Sequence, residues 1–386
     1  MTTGTKKIGF KFTPMRLALA AVAAVGFLLI LIRLIMGIGA VTNLNDQWPW
    51  GFWIAFDDLV GVALAAGGYI VALMVYIMRR DKFYSIARSA MLTSLLGYVI
   101  VAIGLLVDSG QWYNFWKPLV SWGYGSAMFA VFWCLFVYLI IQMLEFGGNV
   151  LIKRNSALYR FFNKAMPVFL VLGVVLALLH QSTLGAIYYL MAGKLDVLWW
   201  SSMLPVFFLI SSFFVGIAMI VIESNLAEKA VGHKVETTIF NRLIKISAFA
   251  LVIYLILKFV DLGIAGELGN AFAFNFTGNM FLLEIVAGVI IPIIIAFTPA
   301  IRTKGGILTF SLLVVAGVLL NRFNVVFTGM ADYLNAGGGS YFPSWQEFVI
   351  SLGLVAFVCI AYLFIAENFD YLSHDKERKS IESGRA

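Results

Sequence analysis

Two adjacent carboxylates, Asp57 and Asp58, stand about one turn inside an apolar stretch that opens with Trp48-Pro-Trp-Gly-Phe-Trp53. Carboxylates just below a membrane boundary are costly and call for a partner, a proton or a ligand. The other charges inside apolar runs are Arg33, Asp108, Lys258, Asp261, Glu284 and Arg322, with a single histidine, His180. An imidazole exchanges protons near neutrality, which makes His180 the first candidate for proton transfer, with Asp57 as a second. A fixed cation in a dry site, Arg322 or Lys258, stabilises negative charge on a bound ligand. Lys258 and Asp261 are three residues apart, share a helix face and can pair. The competing account is structural, since these cations and anions can also neutralise one another between helices.

Several chemistries are excluded by count. A haem held by two histidines needs two at mid-depth, but His233 lies in a basic loop and His374 in the tail. Cys134 and Cys359 lie in apolar runs and are too few for an iron–sulfur cluster or a zinc ribbon. The chain has no CxxC, no HExxH and no glycine-rich loop ending in a phosphate-binding lysine. No haem, no metal and no electron carrier of its own are expected.

The elements that must position these residues are membrane helices. The 386 residues are 62% hydrophobic and 12% charged, with mean hydropathy +0.94, and apolar runs long enough to cross a bilayer recur throughout. Ten are read, at about 15–39, 52–78, 88–107, 122–144, 166–190, 203–223, 246–265, 277–299, 306–329 and 346–368. The fold class is all-α, a polytopic integral membrane protein forming one transmembrane domain over 1–386. Of the 27 lysines and arginines, only Lys117 and Lys194 fall in one set of loops, and Arg33, Lys258 and Arg322 lie inside segments. The rest flank the opposite ends. That asymmetry predicts cytoplasmic termini, with an N-terminal segment at 1–14 and a tail at 369–386. It also accounts for the net charge of +7 without nucleic acid, because the basic loops face anionic lipid. The first segment is read as a retained helix, being too long for a signal peptide. The outer loops are rich in tryptophan (Trp48, Trp50, Trp112, Trp116, Trp199, Trp200, Trp345), read as an interfacial belt, a docking surface, or both. At the opposite end Glu145 follows the fourth segment and Glu223 ends the sixth. They are either mouths of proton wires or solvated helix ends.

The run Trp48-Pro-Trp-Gly-Phe-Trp-Ile-Ala-Phe-Asp57, with Ala65-Ala-Gly-Gly-Tyr69 and Asp108-Ser-Gly-Gln-Trp-Tyr-Asn114, resembles the NrfD/PsrC family of membrane subunits. His180-Gln-Ser-Thr-Leu-Gly185 and Tyr341-Phe-Pro-Ser-Trp-Gln-Glu347 resemble its hydrogenase branch, the HybB-type subunit. The resemblance covers essentially the whole chain. It implies a haem-free subunit of a respiratory oxidoreductase in the bacterial inner membrane, with helices 2–5 and 6–9 as two four-helix bundles flanked by helices 1 and 10. It implies a quinone, menaquinone or ubiquinone, bound near the periplasmic side. The implied partners are a ferredoxin-like iron–sulfur subunit and the small and large subunits of a nickel–iron hydrogenase.

Carried onto this chain, the resemblance matches Asp57 to the acid beside the quinone pocket and His180 to the helix 5 histidine, and puts Tyr98, Asp108, Glu223, Glu284 and Arg322 on the family's polar positions; the quinone site is read as Trp53, Asp57, His180 and Arg322. Proton transfer falls to Tyr98, Asp108, Glu223, Lys258, Asp261 and Glu284. One departure is visible: members of the hydrogenase branch carry a carboxylate early in helix 4, and Gly125–Cys134 contains none. That leaves open a different catalytic partner, of molybdopterin, sulfur-compound or cytochrome c type. Two other classes remain, a secondary transporter and a structural anchor. Pro167 and Pro205, read at helix starts, weigh against the broken helices of a transporter, and an anchor leaves His180 and Asp57 without a role.

Overall fold

A computed structural model describes residues 9–48, 50–150, 157–232 and 235–369. The terminal residues 1–8 and 370–386 lie outside the described residues, as do Lys153, Arg154, His233 and Lys234. Among those described, ten helices are long and apolar enough to cross a membrane: α1 Pro14–Met36, α2 Ile54–Ile77, α3 Tyr84–Asp108, α4 Ala127–Gly147, α5 Lys164–Tyr189, α6 Leu204–Ala230, α7 Thr237–Ala265, α8 Phe276–Ala296, α9 Lys304–Ala336 and α10 Trp345–Asn368. The chain is an all-α, multi-pass integral membrane protein, as its composition requires.

Contacts between helix ends show the alternation of direction. The start of α1 meets the end of α10, where Arg16 donates to both carboxylate oxygens of Glu367 at 2.8 and 2.6 Å. The end of α6 meets the start of α9 through Lys304 and Glu228 at 3.0 Å. The two ends of the molecule are called the basic end, which holds these pairs, and the aromatic end, which holds the tryptophan-rich loops.

Glycine sets the closest approaches. A Cβ added to Gly26 of α1 would stand 2.8 Å from the Cα of Gly353 in α10, and Gly288 of α8 and Gly317 of α9 press backbone to backbone. Small residues allow this, and dispersion contacts then hold the helices together in lipid. Helix α2 is the most deeply buried span and packs against both α3 and α6, so it forms the seam between α2–α5 and α6–α9.

Several helices depart from regular α geometry. π-Helical turns occupy Ile54–Val60 and Leu73–Ile77 in α2, Val286–Ile290 in α8 and Asn324–Thr328 in α9. Such turns insert an extra residue and often mark functional positions. In α8 the π turn directly precedes Pro292, whose missing N–H would otherwise break the ladder.

Two boundary readings are corrected. The fifth helix begins at Ala157, so Pro167 lies within it and not at its start. The sixth runs on to Val231, so Glu223 sits inside it, buried, and not at its end. Glu145 is likewise buried within its helix. Neither is a solvated helix end.

Candidate functional site

The aromatic end is held by one carboxylate. Glu347, fully buried at the first turn of α10, accepts the N–H of Ser344 at 2.9 Å and of Asn43 at 3.1 Å, and the hydroxyl of Tyr341. Ser344 completes a capping box with it. Tyr341 in turn accepts the Phe52 N–H at 2.9 Å and stacks between Trp48 and Phe327. The Trp48-to-Trp53 run is therefore pinned to α10. Trp53 is buried and spends its indole N–H on the Glu347 carbonyl at 3.2 Å. Trp48 and Trp199 are also buried, so a belt at the membrane surface does not describe them, whereas Trp116, Trp122 and Trp345 are exposed as a belt needs.

From this anchored entry α2 begins as a π turn that carries both acids inward. Asp57 accepts the Ser351 hydroxyl at 2.7 Å and lies over Gly104 of α3, so it faces α10 and α3. Asp58 lies on the other side of the turn. It lies near Tyr98 and Tyr188 in the interior, and its Oδ1 has no hydrogen-bond partner. Arg33 does not pair with Asp58. Its guanidinium donates to the carbonyls of Val107 and Ser109, closing the C-terminus of α3, where carbonyls lack helical partners and a cation is favoured.

A second network lies among α6–α9. Glu284 accepts from Asn321 at 2.8 Å, Trp199 at 2.9 Å and Asn324 at 3.0 Å. Arg322 donates to Asn321 at 2.5 Å and Ser211 at 2.6 Å, and its guanidinium lies 3.6 Å over the ring of Phe208. Lys258 and Asp261 do not pair. Lys258 donates to the Leu198 carbonyl at 2.8 Å and sits over Phe207 and Phe281, while Asp261 accepts from Ser201 at 2.8 Å. Sharing a helix face brought the two close, but the α5–α6 loop offers each a better-placed partner.

Between the networks runs a seam of α3 and α5 side chains. His180 is fully buried, its ring 5.9 Å from that of Tyr98, and neither nitrogen meets hydrogen-bond geometry with a partner. Tyr98 packs edge-on to Tyr138 at 4.5 Å. Tyr138, Ser94 and Gln142 form a hydrogen-bonded triangle with sides of 2.8–3.4 Å. This triangle reaches two clefts in the basic half. One is lined by Tyr69, Tyr138, Gln142 and Glu145. The other is lined by Thr93, Ser94 and Glu223. Glu223 also accepts the Tyr362 hydroxyl at 2.6 Å.

The sequence reading thus located the charged residues but missed most of their partners. Ser351, Tyr188 and Ser211 carry no local signal as uncharged members of apolar runs, and Trp199 stood out only as a loop tryptophan. Asn321-Arg-Phe-Asn324, a polar run in an apolar helix, is a signal that could have marked Asn321 and Asn324. Among the described residues no group of three or more His, Cys, Asp or Glu side chains is placed to hold a metal ion.

The fold and site define a ten-span integral membrane protein whose polar chemistry is confined to its interior. The chain belongs to the NrfD family: the family model described as polysulphide reductase, NrfD, matches residues 40–332. A protein of Nitratidesulfovibrio vulgaris is 35% identical over 381 residues, 95% of this chain and 96% of its own. The probable Ni/Fe-hydrogenase 2 b-type cytochrome subunit of Escherichia coli is 32% identical over 346 residues, 88% of this chain and 87% of its own. The integral membrane subunit of a menaquinone reductase of N. vulgaris is 28% identical over 370 residues, 87% of this chain and 85% of its own.

Proposed function

We propose that this chain is the quinone-reactive membrane subunit of a respiratory oxidoreductase in the bacterial inner membrane, with its basic end in the cytoplasm. Electrons reach it from a periplasmic ferredoxin-like iron–sulfur subunit, with a nickel–iron hydrogenase as the favoured source. The family membership and the named relatives support a role at the quinone pool. One observation carries the reading: Asp58 Oδ1, Tyr188 Oη and Arg322 Nε are buried polar atoms without a protein partner, and neither His180 nitrogen closes a hydrogen bond with the Val131 backbone beside it. Buried polar groups are rarely left unpaired, and the carbonyl oxygens of a quinone accept from the donors among them, the Tyr188 hydroxyl, Arg322 Nε–H and a protonated His180 nitrogen.

When bound, a quinone supplies the two-electron acceptor. The chain's own residues do the rest. Arg322, always charged, holds positive potential in a dry site. His180 and the Asp57–Asp58 pair hold and move protons. Trp53 and Asp108 fix the walls at the aromatic end. The Tyr138–Ser94–Gln142 triangle, with the clefts at Glu145 and Glu223, offers a route for protons between the basic end and Tyr98. Glu284, Lys258 and Asp261 set the charge balance around Arg322. No haem is assigned to the chain: a bis-histidine site needs two buried histidines, and His180 is the one buried histidine among the described residues.

The test is donor-dependent quinone reduction in membranes carrying His180→Ala or Asp58→Asn in the assembled complex. Loss of rate in both supports the site. Wild-type rates in both, with the complex intact, sink it. The subunits that co-purify identify the donor.

A further inference from the structure

Helix α2 contains a second irregularity, at mid-depth. After the π turn, Ile54–Val60, one regular turn spans Gly61–Leu64, and the helix then tightens at Ala66. There the Ala66 N–H turns to the carbonyl of Ala63, three residues back, at 3.2 Å. In an α-helix that N–H would go to Val62. The Val62 carbonyl is instead taken by the side-chain amide of Gln181, from α5, at 2.8 Å. Gln181 is fully buried and directly follows His180.

The tight turn is enclosed on its other sides by close-packed neighbours. A Cβ added to Gly97 of α3 would stand 2.8 Å from the Cβ of Ala65, and one added to Gly67 would stand 2.9 Å from Ile220 of α6. Steric packing confines the turn from two helices, but Gln181 makes the polar bond to it. A side-chain donor that replaces a ladder bond can hold a helix in a locally altered winding. The extra residue of the π turn and the tightening at Ala66 act in opposite senses. Together they set the rotation of residues 54–64 relative to the rest of α2, and hence the directions of Asp57 and Asp58.

We propose that Gln181 is a positioning residue: by holding the Val62 carbonyl out of the α2 ladder it fixes the winding that aims Asp57 at Ser351 and Asp58 at the seam. The proposal deepens the quinone-reactive reading, on which its kinetic arm rests, whereas its structural arm stands without it. Gln181→Met keeps the length and apolar bulk of the side chain and removes the donor.

The variant is examined in the assembled complex in membranes or nanodiscs, by hydrogen exchange resolved to peptides and by steady-state quinone reduction. The expected result has three parts. Exchange rises in the peptide covering 61–70. Exchange in α9 stays at the wild-type level. The kcat falls about 10- to 100-fold with little change in KM, the size of loss expected when reacting groups are misaligned. Unchanged exchange in 61–70 with unchanged kcat overturns the proposal. So does exchange raised equally in α2 and α9, which would report general loosening. Raised exchange confined to 61–70, in a complex whose wild type does not reduce quinone, upholds the winding role and fails the functional reading instead.

Discussion

The Ser351 hydroxyl of α10 donates to the Asp57 carboxylate at 2.7 Å, and both side chains are buried. One buried hydrogen bond is worth about 1 kcal/mol net, and an acceptor left unpaired costs about 1–3 kcal/mol. Ser351→Ala is expected to lower the thermal midpoint of the purified complex modestly and to reduce quinone turnover less than Asp57→Asn does. Turnover and midpoint both equal to wild type would remove Ser351 from the site.

Glu284 separates shape from acceptance. It satisfies three donors, from Asn321, Trp199 and Asn324. Glu284→Ala strands all three, at about 1–3 kcal/mol each, and should abolish accumulation of folded chain in the membrane. Glu284→Gln retains one carbonyl acceptor and should accumulate with a lowered midpoint. Quantitative immunoblotting of membranes and a melting curve distinguish the two, and equal accumulation would show that the network is dispensable.

Arg322 tests the guanidinium plane as opposed to its charge. It bonds two side chains while stacking on Phe208 at 3.6 Å. Lysine keeps the charge but lacks both the plane and the fork. Arg322→Lys should lose at least about tenfold in quinone turnover, as expected when a preorganised charge is displaced, in a complex that still assembles. Full activity in the lysine variant would reduce the role to charge alone.

Asp196 gives a dependence on pH. It lies in the α5–α6 loop, where burial, partly offset by the Leu198 N–H that it accepts at 2.8 Å, raises its pKa above the ordinary value. A carboxyl raised on folding contributes stability below its unfolded pKa of about 4, and that contribution is lost as the pH climbs through the folded value. Asp196→Asn keeps an acceptor for Leu198 and removes the titration. The variant should melt higher than wild type at pH 8, and its advantage should vanish at pH 4. A constant difference between the two would contradict the assignment.

The ten spans were readable because each apolar run must satisfy its backbone within a helix to enter lipid. The charged residues were readable because each is rare in such runs. What the sequence could not show was angle and partner. Asp57 and Asp58 are adjacent in the chain, and a regular helix would divide them differently from the π turn that carries them. Lys258 and Asp261 met the spacing rule for a pair, yet a carbonyl and a serine from the α5–α6 loop claimed them. Glu223 looked like a helix end because its surroundings turn polar, whereas the helix continues for two more turns past it.

The pairing of α1 with α10 bears on the order of assembly. These helices come from opposite ends of the chain, yet they meet at Gly26 and Gly353 and are tied by Arg16 and Glu367. Through Ser351 and Glu347, α10 also holds Asp57 and the Trp48-to-Trp53 entry. During synthesis the first helix enters the bilayer before its main neighbour has been made, and contacts of such long sequence separation form late. Asp57 therefore waits, unbonded by Ser351, through the insertion of eight further helices. A chain stopped before α10 carries its charged residues without the helix that braces them, so completion of the last span sets the moment at which the site takes shape.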